Sequence, residues 1–170
     1  MHYLQGKTER VTPLIDLLQE FERDKRSSLL RHQAAARSVG HYDANNAYQY
    51  ILAREETQLS WLARALADLG GRPADAASRP ITSTTPSVDE TDVFRRDAQE
   101  AQAFVDRWRP RVEAITNARH RIMLRVILGE TLEQKRLFDQ ALAGRTDMLG
   151  RRTAEVGPVQ GEVLPARWIE

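Results

Sequence analysis

Apolar residues recur every three to four positions along four long stretches of this chain, the spacing of amphipathic helices. The first stretch runs from about Thr12, an N-cap followed by Pro13 at the first helical position, to Ser38. Leu14, Leu17, Leu18, Phe21, Ser28, His32 and Ala35 trace its inner face. The second runs from about Asn45 to Leu69, with Tyr48, Ile51, Leu52, Leu59, Leu62 and Leu66 inside and Gly70 and Gly71 as the stop. The third opens on a capping-box pattern, Ser87 to Glu90, and its stripe of Phe94, Ala98, Ala101, Val105, Trp108, Val112 and Ile115 continues through Pro110, which predicts a kink there. The fourth covers about Asn117 to Ala143 and ends at Gly144.

Between the second and third stretches lies a segment at about 70–88 with three prolines and two glycines, too long for an ordinary turn. In a bundle of four helices of about 25 residues, each roughly 38 Å long, such a segment reads as a crossover along the full length. The expected organisation is an all-α four-helix bundle at 12–143 and an extended C-terminal tail at 144–170, a surface for a protein partner. Tail residues such as Trp168 and Ile169 suit packing along the bundle or against another chain.

Composition sharpens this without changing it. The chain has 170 residues, enough for one well-buried domain, and its 29% charged residues nearly cancel to a net +1. Balanced charge suits a helical surface laced with ion pairs and argues against nucleic acid as a partner. Cysteine is absent, which removes disulfides, thiolate nucleophiles and sulfur ligands. No Gly-x-Ser-x-Gly or phosphate-binding loop is present. No apolar run nears the roughly 20 residues of a membrane span, and "MHYLQGKTER" holds no signal-peptide core, so a cytoplasmic protein is expected.

The inner faces carry unexpected polar groups. With Ile122 at zero and about 100° per residue, Glu130 falls at roughly 80° and Glu133 at roughly 20°, inside an apolar arc that reaches Ile127 at roughly 140°. Glu55 shares the face of Ile51 and Leu59 with Gln58 at its edge, whereas Glu56 points outward. Asp97 sits among Phe94, Ala98 and Ala101, and in the first helix Asp24 lies at the edge of the stripe with Lys25 nearer its centre. A buried carboxylate must take a proton, pair with a cation or bind a metal, because leaving it unpaired is costly. Of the histidines, His32 reads as a core residue and His120 as a surface or helix-start residue; Trp61 and Trp108 read as helix packing.

The fourth helix, "GETLEQKRLFDQAL", resembles the closing helix of rubrerythrin-type proteins of the ferritin-like superfamily, and "EETQLSWLARALADLGG" is similar to their second-helix segment. Such proteins hold two metal ions with one Glu on each of two helices and Glu-x-x-His on the other two. The resemblance implies metal positions at Asp24, Glu55, Gln58, Asp97, Glu130 and Glu133. Gln58 and Glu133 stand where that family carries histidine, so the set is all oxygen, suited to harder cations such as manganese rather than iron. Lys25 offers a different outcome, an ammonium standing in for the metal charge.

Two readings follow. The first is a family member that has lost the usual di-iron centre, needs no cofactor, and acts as a homodimeric structural or interaction protein. The alternative is a di-metal oxidoreductase using manganese or iron at the carboxylates.

Overall fold

The computed structural model describes residues 2–74 and 89–150, and among these every regular element is helical: α1 His2–Ser38, α2 Tyr42–Asp68, α3 Glu90–Glu113 and α4 Ala118–Leu142. The bulk of the expected crossover and the tail from residue 151 lie outside the described residues. No described helix is long and apolar enough to cross a membrane.

Helix ends follow local chemistry. Asn117, where the sequence places the start of the fourth helix, caps α4 by accepting the His120 N–H at 3.2 Å. Three starts differ from expectation, and α2 begins at Tyr42 rather than about Asn45. α1 begins at His2 rather than Thr12 and runs through Pro13, which removes one backbone hydrogen bond without ending the helix. α3 is capped by Asp89, whose carboxylate accepts the Thr91 N–H at 3.0 Å, and Ser87 of the expected box lies outside the described residues. Glu90 is then free to reach across to the start of α2, where its carboxylate accepts the N–H groups of Gly40 and His41. α3 passes through Pro110 as expected.

The end of α2 explains its paired glycines. Gly70 takes a positive φ of 77° and donates to Ala67 O, while Gly71 donates to Leu66 O at 2.8 Å, the bonding of a Schellman turn. A Cβ on Gly71 would lie 3.0 Å from Ile15 Cγ2, so the second glycine lets this turn press against α1.

α1 packs chiefly on α2 and α3 on α4, with narrower α1–α3 and α2–α4 seams; α1 and α4 are diagonal, as are α2 and α3. Neighbours are antiparallel: Asp24 meets Trp108 while Arg31 meets Asp97, and Asp68 meets Arg119 while Arg54 meets Glu130. Two aromatic clusters fill the interior. Phe21, Phe104 and Trp108 form one, with Phe21 and Trp108 edge to face at 4.8 Å, and Tyr48, Phe94 and Phe138 form the other. Polar side chains occupy the layer between.

The rotation of α4 departs from the predicted wheel. Its inner face is Leu124, Ile127, Leu128, Thr131, Gln134 and Phe138, whereas Ile122 is 57% and Val126 45% exposed. Thr131 and Gln134 dilute the true stripe, so the aliphatic pair outside it set the wrong phase. With the helix turned, Glu133 is 66% exposed and pairs with Arg136 on the surface.

Candidate functional site

The centre of the polar layer is Glu55 on α2, fully buried. Lys25 on α1 donates to its Oε1 at 2.9 Å, and His32, two turns along α1, bonds its Oε2 through Nδ1 at 2.9 Å. Lys25 and His32 are only 1% and 2% exposed. The Lys25 ammonium also lies 5.5 Å from the centre of the Phe104 ring, whose face favours a cation. Burial alone would raise the pKa of Glu55, but the positive charges of His32 and Lys25 and their hydrogen bonds outweigh it and bring the carboxyl down to about 2.

One turn further along α2, Gln58 donates through Nε2 to Glu130 Oε2 on α4, while Arg54 holds the other oxygen of Glu130. Toward the upper aromatic cluster, the fully buried Asp97 accepts the Tyr48 hydroxyl at 2.6 Å, with Arg96 at 3.2 Å and Arg31 at 3.4 Å from its second oxygen. Burial and the adjacent Asp97 charge push the Tyr48 phenol well above its ordinary 10.0. Asp24 lies off the centre: it accepts from Trp108 Nε1 at 2.9 Å and pairs with Arg107 at 3.1 Å.

The six positions implied for metal therefore do not form one ligand set. Glu55 has both oxygens engaged by cationic donors from α1, Gln58 and Glu130 bond each other, and Asp24 and Asp97 belong to separate clusters. Glu133 leaves the interior altogether. Among the described residues no three His, Asp or Glu side chains come together as a metal-holding group. This donor arrangement does not fit a dinuclear centre.

Several participants escape a sequence reading. His32 is the second partner of Glu55, and its position on the inner face was the only signal for it. Tyr48 reads as an ordinary stripe residue until its hydroxyl is placed. Glu22 is buried, salt-bridged to Arg26, and accepts the Ala74 N–H at 2.8 Å, tying down the chain beyond α2. His120 does sit at the start of α4 but is buried there, and burial with the nearby Arg119 lowers its pKa.

A separate cleft of about 640 Å³ opens at the end of the bundle where α2 and α3 begin and α4 finishes. Phe94, Ala141 and Met148 line it with Glu90, His41 and Arg145, and its size is within the range of small-molecule pockets.

Fold and site together define an all-α four-helix bundle with an ion-paired polar layer in its core. Comparison with protein-family models, curated proteins and solved structures gave no match.

Proposed function

We propose that this chain is a ferritin-like bundle in which an ion-paired core stands where the family places its metal pair, and that it works as a structural or interaction protein rather than as a di-metal oxidase. The observation that carries this reading is the Lys25 ammonium 2.9 Å from Glu55 Oε1, which supplies the positive charge that a metal would bring to that carboxylate. The helix directions support the ferritin-like part. Glu90, at the start of α3, bonds Gly40 and His41 at the start of α2, while α2 ends beside Ile15. α2 thus ends at the opposite end of the bundle from the start of α3, an arrangement that supports the reading of a full-length crossover.

The interaction surface in this reading is the outer face of α4, where Ile122 and Val126 stand exposed one turn apart beside the exposed Gly129. Gly129 leaves open space around its Cα, room for the backbone of a second helix. The protein associates there as a homodimer.

Elemental analysis of protein purified from cells supplied with iron and manganese tests the central claim. Substoichiometric metal is expected; two tightly bound ions per chain would overturn it.

A further inference from the structure

Three buried polar atoms in the central layer have no hydrogen-bond partner among the described residues: His32 Nε2, Gln58 Oε1 and Gln134 Nε2. All three side chains are at least nine-tenths buried. Their positions converge. Gln58 is one turn from Glu55, the residue that holds His32. Gln134 is one turn beyond Glu130, which Gln58 touches, and one turn before Phe138, whose ring centre is 5.8 Å from that of His32. Gln134 on α4 therefore reaches the interior at the level between Gln58 and His32.

Hydrogen-bond chemistry fixes what each atom needs. An ionised carboxylate only accepts, so the His32–Glu55 bond puts a proton on Nδ1 and leaves the buried Nε2 as the ring atom still to be bonded. The Gln58–Glu130 bond fixes the amide in the same way and leaves Oε1 as an acceptor. Gln134 Nε2 is a donor. Lys25 and Glu55 already cancel each other's charge, so a cation here would face the ammonium and an anion would face Glu55 and Glu130. The guest must be small and neutral, with a proton for Gln58 Oε1 and a lone pair for Gln134 Nε2.

We propose that a water molecule is bound inside the bundle, donating to Gln58 Oε1, accepting from Gln134 Nε2 and hydrogen-bonded to His32 Nε2. It joins two otherwise separate clusters into one chain from Lys25 through Glu55, His32 and Gln58 to Glu130 and Arg54. That chain links α1 to α4, which lie diagonally and do not touch as helices. The inference rests on the metal-free reading of the core.

Oxygen-17 magnetic relaxation dispersion on the full chain tests it, alongside Gln134→Met and Gln58→Met, each near in volume and lacking the polar group. The wild type should show long-lived internal water, and each variant should lose a contribution equal to one molecule. A crystal structure fine enough to place solvent should show one peak within hydrogen-bond reach of all three atoms. Folded variants with unchanged dispersion, or density in which the three side chains bond one another directly, would overturn the proposal while leaving the metal-free reading intact. A metal ion at that position would overturn both.

Discussion

Glu55 and Lys25 meet across the α1–α2 seam with both side chains shut away from solvent, 2.9 Å between oxygen and nitrogen. Breaking such a pair by removing one member strands a charge in the interior, which costs on the order of 3–5 kcal/mol. Lys25→Met and Glu55→Leu should each destabilise by about that much in denaturant unfolding, and the double variant should lose far less than the sum. Additive losses would show that the two charges do not neutralise each other.

Acid should unfold the protein through the same carboxyl. Its folded pKa of about 2 lies below the ordinary 4.5, so the stabilisation is complete above roughly pH 4.5 and is lost as pH falls toward 2. The amount is on the order of 3 kcal/mol. Unfolding free energy measured between pH 5 and pH 2.5 should drop for the wild type and stay flatter for Glu55→Gln. A variant with the wild-type acid slope would place the titrating group elsewhere.

The Tyr48 phenol makes a matching prediction at the alkaline end. Its folded pKa is raised, so this contribution holds below the ordinary 10.0 and disappears as pH climbs past it. Ultraviolet titration should show one late step that disappears in Tyr48→Phe. That variant also leaves Asp97 short of a donor, at a cost of about 1–3 kcal/mol.

The glycine turn after α2 can be tested at each position. Gly70→Ala forces a Cβ into a left-handed conformation and should cost about 1 kcal/mol. Gly71→Ala meets Ile15 instead, so adding Ile15→Val should recover part of its loss, whereas the same addition to Gly70→Ala should not help. Thermal melts of the four variants decide between strain and crowding.

Sedimentation should find the wild type dimeric and Val126→Glu monomeric with an unchanged helical spectrum. A wild type that stays monomeric at tens of micromolar removes the outer face of α4 as a self-association surface.

Helix number, the bounds of α4, and the inward turn of Glu55 and Lys25 were all legible, because each depends on local spacing and on turn residues. The phase of α4 was not. Ile122 and Val126 carry more hydrophobicity than Thr131 and Gln134, so a wheel drawn from apolar content alone turns the helix the wrong way and brings Glu133 inside. The paired glycines were legible as the stop of α2, and each has its own local reason, a positive φ at Gly70 and the approach of Ile15 at Gly71. Partners were the least legible feature: nothing near Glu55 in the sequence announces that His32, some twenty residues earlier, will bind its second oxygen.

His41, the residue before α2, makes no side-chain cap of its own, and the Glu90 carboxylate accepts its backbone N–H and that of Gly40 from α3 instead. The N–H groups of Gly40 and His41 thus gain this carboxylate only when the second helical hairpin docks against the first. An isolated α1–α2 hairpin would fray at that corner, so the two halves of the chain acquire their order together, and cooperativity is written into a single side chain.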